Sequence, residues 1–193
     1  MTYSPALTQR WFPARTWYRE LAVVGAGASL IALLAQVAIP MPLGVPITGQ
    51  TFGVLLIGGS LGFRRGVAAV ALYIGAGAGG LPFFAAGGAG MAVLRGATAG
   101  YLIGFLVAAG TTGLMAEHGF LRRYWTAFLG MLVATIPIFA FGLAWLSYYV
   151  PRGTLLEAGL LPFLPGALAK AALAALLLPS LQRFSGRSAH RAG

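Results

Sequence analysis

The chain has 193 residues, 59% of them hydrophobic and 8% charged, with a mean hydropathy of +0.84; a soluble domain carries about a quarter charged residues, so a water-facing surface cannot be built from this composition. Thirteen Lys and Arg stand against three acids, Glu20, Glu117 and Glu157, and there is neither Asp nor Cys. That inventory excludes carboxylate-pair catalysis, carboxylate or thiolate metal sites and disulfides, and it leaves an integral membrane protein.

In chain order, the first 20 residues interleave Trp11, Phe12, Trp17 and Tyr18 with Arg10, Arg15 and Arg19, the composition of a segment lying among lipid headgroups. The same mixture occurs in nucleic-acid binders, but these arginines are needed to orient the chain in a membrane, and no nucleic acid is expected. Residues 21–39 form the first charge-free run able to cross a bilayer core of about 30 Å, which takes about 20 apolar residues. Residues 51–80 are interrupted by Arg64 and Arg65. Two short helices joined at an Arg-bearing turn are predicted there, because one continuous span would place both arginines in lipid at about 2.5–3.5 kcal/mol each. Runs at 96–116, 124–147 and 163–182 complete six spans, with Pro137 predicted to kink the fifth.

Lys and Arg concentrate in cytoplasmic loops, and this count obeys that rule. Arg10, Arg15, Arg19, Arg64, Arg65, Arg122, Arg123, Arg183, Arg187 and Arg191 fall on one side, against Arg95 and Arg152 on the other and Lys170 within the last span. The expectation is an all-α integral membrane protein with six transmembrane helices and both termini cytoplasmic. It forms one domain over 1–193: an interfacial segment 1–20, a bundle 21–182 and a basic tail 183–193.

Small residues let helices approach closely where hydrophobicity gives no drive to associate. Gly58/Gly62, Gly62/Gly66 and Gly96/Gly100/Gly104 are spaced as packing faces. In the first span Ala22/Ala26 and Ala28/Ala32 repeat the spacing, and such a stripe serves either internal packing or a partner's helix. Two motif matches are set aside. GAGAGG at 75–80 lacks the βαβ context and the later acid of a dinucleotide site, and GGSLG at 58–62 lacks the His and carboxylate of a hydrolase. No P-loop is present, so active transport would need a separate motor.

Lys170, the one lysine, sits about a turn into the last span after Pro165 and Gly166, with no acid within helical reach. An ionisable group inside a membrane without a protein partner is a functional-site hypothesis, and the missing counter-ion is then a ligand's anion. The alternatives are snorkelling to headgroups or a pair with Glu157. On the same outer side lie the uncharged loop MPLGVPITGQ, ending in Thr48 and Gln50, and residues 80–101, with Phe83, Gly88, Arg95 and Tyr101. With Tyr73, these suit a small ligand with an apolar body and an anionic tail. For the aromatic residues, ordinary packing is the competing reading.

VPITGQTFGVLLIGGSLGFRRGVAAVALYIGAGAGGLPFF at 45–84, GATAGYLIGF at 96–105 and PGALAK at 165–170 together resemble the BioY family, the biotin-specific substrate-binding (S) component of energy-coupling factor (ECF) transporters. The resemblance implies an S-component bundle in the bacterial inner membrane that performs no covalent chemistry and needs no cofactor. It implies biotin as the ligand, and partnership with a transmembrane coupling subunit and paired ATP-binding subunits. It also implies an Ala-x-x-x-Ala docking face on the first helix, matched by Ala22/Ala26 or Ala28/Ala32. The family's last-helix pattern has an acid three positions before its lysine, where this chain has Ala167. Some members of that family carry Asn at Gly88 and Arg at Leu102, and relatives tend to be apolar where this chain has Arg95. Ala167 keeps a second reading open, an S component for another small vitamin or anion. A membrane enzyme acting on lipid and a purely structural subunit are the remaining classes.

Overall fold

The computed structural model describes residues 17–41 and 45–189, with side chains through residue 180. Arg10, Trp11, Phe12 and Arg15 of the expected interfacial segment, Arg191 of the tail, and the side chains of Arg183 and Arg187 lie outside the described residues.

Helix α1 (Trp17–Gln36) leads into a two-residue strand, β1 (Ala38–Ile39), which pairs antiparallel with β2 (Ile47–Thr48), Ala38 opposite Thr48. Helices α2 (Gln50–Leu61) and α3 (Phe63–Ala78) follow, then a 3-10 turn at Ala85–Gly87 and the single-turn α4 (Met91–Leu94). The remaining helices are α5 (Ala99–Glu117), α6 (Tyr124–Leu146), the short α7 (Leu155–Gly159) and α8 (Leu164–Ala189).

Four stretches of the described residues are long and apolar enough to cross a bilayer: α1, α5, α6 and the α7–α8 segment from Arg152 to Ser180. Helices α2 and α3 have 12 and 16 residues, and at 1.5 Å per residue they rise only about 18 and 24 Å. The chain breaks between them at Gly62, whose φ of 82° is open to glycine and strained for other residues. Arg64 and Arg65 fall in the first turn of α3 rather than in the turn itself. Helix α6 runs on through Pro137.

Small residues set the packing. Folding back at Gly62 brings Gly66 onto Gly58, where a side-chain carbon on Gly66 would lie 2.9 Å from the Gly58 Cα. Helix α5 is small on two sides. Gly104 faces the backbone of α6, with Ile138 Cα 2.6 Å from where a Cβ would sit, and Gly113 faces the start of α3, with Phe63 Cα equally close. Helix α5 therefore occupies the centre, flanked by α2, α3 and α6, while α1 packs on α2 and α3, and α8 on α2 and α6.

Side-chain contacts define two ends. At one, Arg65 of α3 holds Glu20 of α1 through its Nε at 2.7 Å and a second guanidinium nitrogen, and Glu117 of α5 accepts from the free Phe63 N–H at the start of α3 at 3.0 Å. Arg64, Arg65, Arg122 and Arg123 gather at this end. At the other, Tyr149 Oη donates to the Arg95 carbonyl at 2.5 Å and Trp145 Nε1 to the Gly96 carbonyl at 3.0 Å. Two of the three acids are thus occupied in joining helices, far from the end where the cavity lies.

Candidate functional site

The cavity has a volume of about 290 Å³, close to the lower bound of about 300 Å³ typical of small-molecule sites. Its base is apolar: Leu55 from α2, Leu102 and Phe105 from α5, Ile138 and Phe139 from α6. Its cover comes from two places in the sequence. Val45, Pro46 and Thr48 belong to the segment after α1, and Phe84, Ala85 and Gly88 belong to the loop after α3. Pairing β1 with β2, and the 3.0 Å bond from the Gly49 N–H to the Val37 carbonyl, fold the first cover back toward its own helix.

Lys170 projects into this space from α8. Its Nζ donates to the Thr48 carbonyl and, at 3.1 Å, to Thr51 Oγ1. An ammonium has three N–H donors, so one remains. Among the described residues, no carboxylate lines the cavity or lies within ion-pair distance of Lys170. The Glu157 alternative is not what the structure has. A cation solvated only by neutral oxygens, in a mainly apolar pocket that holds no carboxylate among the described residues, retains its attraction for an oxygen-bearing ligand.

Thr48 and Gln50 also line the cavity, and their polar atoms are mutually engaged. Thr48 Oγ1 donates to Gln50 Oε1 at 2.8 Å, while Gln50 Nε2 donates to the Tyr73 hydroxyl. Tyr73 is fully buried and does not line the cavity. It stands behind Gln50, with Phe83 stacked on its ring and Phe84 meeting it edge-on at centroid distances of 6.4 and 5.7 Å. The ring of Tyr101 forms cavity wall, but its hydroxyl is turned away and donates to the Gly159 carbonyl of α7 at 2.8 Å. Gly142 and Gly159 leave the room in which that ring lies.

Five expected ligand contacts, Lys170, Tyr101, Gln50, Thr48 and Gly88, are therefore brought together around one space. Phe83 and Tyr73 form a layer behind it. The Arg95 side chain is exposed and does not line it, because the 3.0 and 2.5 Å bonds to the Gly96 and Arg95 carbonyls hold that stretch against the end of α6 by its backbone. The docking pairs separate equally. Ala28 and Ala32 are 1% and 6% exposed, packed inside the bundle, which corrects their assignment to a partner; Ala22 and Ala26 face outward. Sequence reasoning missed Thr51, Phe105 and the α6 contribution of Thr135, Ile138 and Phe139. The available signals were Thr51 following Gln50, and a threonine and a proline within an otherwise apolar span.

A covered apolar cavity with one unpaired cation, set among helices suited to lipid, defines a membrane protein that binds a small polar-ended molecule. The chain belongs to the BioY family, whose model matches residues 6–187. It is 36% identical over 181 residues to the biotin transporter BioY of Rhodobacter capsulatus, covering 86% of this chain and 94% of that protein. With the biotin transporter BioY of Thermotoga maritima it shares 37% identity over 168 residues, 86% of this chain and 97% of the relative. The fold matches the 2.1 Å crystal structure of the S-component for biotin from an ECF-type ABC transporter with a TM-score of 0.77 at 26% identity, over 88% of this chain and 95% of that one.

Proposed function

We propose that this protein is the substrate-binding component of a biotin uptake transporter, not an enzyme, and that it captures the vitamin at the outer face of the membrane. The observation that carries the reading is Lys170, unpaired with any carboxylate and aimed into a covered apolar cavity of a BioY-family chain. Biotin combines an apolar body with a polar ureido group and a carboxylate, which matches an apolar base and a single cationic donor. The remaining N–H of Lys170 donates to a ligand oxygen. Thr48 and Gln50 hold the lysine's own acceptor in place, Tyr101 and Phe84 wall the ligand, and Gly88 lets the loop backbone close over it. Tyr73 and Phe83 act from behind, and Arg95 makes no direct contact.

Helices α1, α2, α3, α5, α6 and α8 are the six spans, the arginine-rich end faces the cytoplasm, and both termini lie there, in a bacterial inner membrane. The outward Ala22/Ala26 face is the surface for a transmembrane coupling subunit energised by ATP-binding subunits. Binding of labelled biotin to the purified protein in lipid nanodiscs tests this. Saturable binding displaced by unlabelled biotin, and by no other vitamin in a competition panel, is expected; absence of saturable binding refutes it. Ala167, lining the cavity one turn before Lys170, favours a second reading, an S component for a different small vitamin or anion, which the same panel would expose as displacement by another compound.

A further inference from the structure

We infer that Gln36, which does not line the cavity, is a positioning residue for ligand capture: its side-chain amide clasps the loop of residues 81–88 over the ligand space. The inference rests on the reading that this cavity takes up a small molecule.

Gln36 ends α1, and its Nε2 donates to three carbonyls. One, Ala32 at 2.9 Å, belongs to its own helix; the others, Pro82 at 3.2 Å and Phe84 at 3.4 Å, belong to the loop after α3. An amide nitrogen carries two hydrogens, so one anchors the group to α1 and the other is shared between the loop carbonyls. The loop contributes Phe84, Ala85 and Gly88 to the cavity cover.

The backbone of this loop needs holding. It pivots between Gly80 and Gly90, with φ of 105° and 85°, and within it Ala86 has φ 52° beside Gly87 at 76°. Alanine keeps a left-handed conformation only where its surroundings impose it. Bonds between the Phe84 N–H and the Gly88 carbonyl, and between the Gly88 N–H and the Ala85 carbonyl, both 3.0 Å, make the loop one unit, and the Gly90 N–H fixes its far end to Gly77 at 2.7 Å. These ties are all to α3 or to the loop itself. The Phe84 ring is seated on Tyr73 and Gly77, also of α3. Gln36 supplies the polar tie to a different spanning helix.

Val37, the residue that follows that helix, also anchors the other cover, through the bond from the Gly49 N–H to the Val37 carbonyl. Both halves of the cover are thus fastened to the end of α1, and a shift of α1 loosens them together.

The chain has no cysteine, so Ala85→Cys places a single reporter in the cover of the full-length protein in nanodiscs. Its labelling by a bulky polar maleimide, without ligand, is compared with that of the same protein carrying Gln36→Ala or the equal-sized Gln36→Glu, which as a carboxylate cannot donate, at a pH high enough to ionise it. Loss of one ordinary hydrogen bond raises the open population about fivefold, and a labelling rate raised by about that factor in both variants is expected. Equal rates within twofold, including no labelling of any protein, overturn the clasp. A second measurement uses the chain without the reporter: Gln36→Glu raises the biotin association and dissociation rates together, each about fivefold, because the ligand passes the same opening both ways, and unchanged rates overturn the clasp, whereas loss of folded protein lowers the number of sites and leaves dissociation alone. If the unaltered chain binds no biotin, the proposed function fails while the labelling comparison still decides the clasp.

Discussion

Replacing Lys170 by methionine keeps the unbranched stem of the side chain, one atom shorter, and removes its charge and donors, and the structure sets opposite expectations for binding and for stability. In the ligand-free protein the change strips the Thr48 carbonyl and Thr51 Oγ1 of a donor, a cost of about 1–3 kcal/mol, but it also relieves the desolvation of a cation with no carboxylate nearby. The two terms oppose, so thermal unfolding without ligand shifts by no more than about 1 kcal/mol. Binding has no such compensation. The lost contact is a hydrogen bond from a charged donor inside an apolar wall, worth about 1.5–3 kcal/mol, and the dissociation constant for biotin rises about 10- to 150-fold. Isothermal titration of both proteins, alongside their melting curves, reads the two quantities separately. Repeating the titration with biotin amide identifies the oxygen: if the lysine serves the carboxylate, the amide binds the unaltered protein more weakly and the substitution costs it little more. Unchanged biotin affinity in the variant would refute the reasoning.

Ala167→Asp places an acid beside Lys170 on the cavity wall and restores the pattern that the family resemblance implies; biotin affinity measured by titration rises about fivefold, and a weakening would mean that in this chain the lysine serves the ligand's anion alone. Tyr101→Phe removes a hydroxyl bonded to Gly159 and not aimed at the ligand, so thermal denaturation reports a loss of about 1 kcal/mol while the biotin dissociation constant stays within twofold. Gly104→Ala drives a methyl group into the backbone of α6 at Ile138 and lowers stability by about 1–3 kcal/mol, read as an earlier melting transition. Ala26→Leu enlarges an outward face and leaves biotin binding intact while abolishing uptake in cells that carry the coupling and ATP-binding subunits; Ala28→Leu, inside the bundle, lowers the yield of folded protein instead.

Several features were legible because they follow from transfer energetics along the chain. Apolar runs of spanning length, charge-free except for Lys170 in the last, mark α1, α5, α6 and α8 whatever their neighbours, since burying a charge in hydrocarbon costs more than most packing arrangements return. The arginine pair at 64–65 announced the break between α2 and α3 for the same reason. Lys170 stood out as a cation with no acid in helical reach, and the structure leaves it without one. The less visible parts depend on direction rather than composition. Ala22/Ala26 and Ala28/Ala32 have identical spacing, and only the way α1 lies on α2 and α3 decides that the second pair is interior. Tyr101 and Tyr73 have similar residue chemistry, yet one lines the cavity while pointing its hydroxyl at Gly159 and the other supports Gln50 from behind.

The sequence by itself determined that this is a membrane protein, which runs are long and apolar enough to cross a bilayer, and that its single lysine has no acid within helical reach, because each of these is a property of local composition measured against lipid; that Glu157 does not pair with the lysine was decided by the fold. The cavity was decided by tertiary structure alone. Thr48, Tyr101, Ile138 and Lys170 come from four separate elements and Phe84 from the loop after α3, and their meeting depends on glycine contacts, such as Gly104 against Ile138, that fix how closely helices approach. No periodicity along one helix records the distance to its neighbour, which is why the enclosing walls, the turned hydroxyl of Tyr101 and the excluded Arg95 emerged only from the packed bundle.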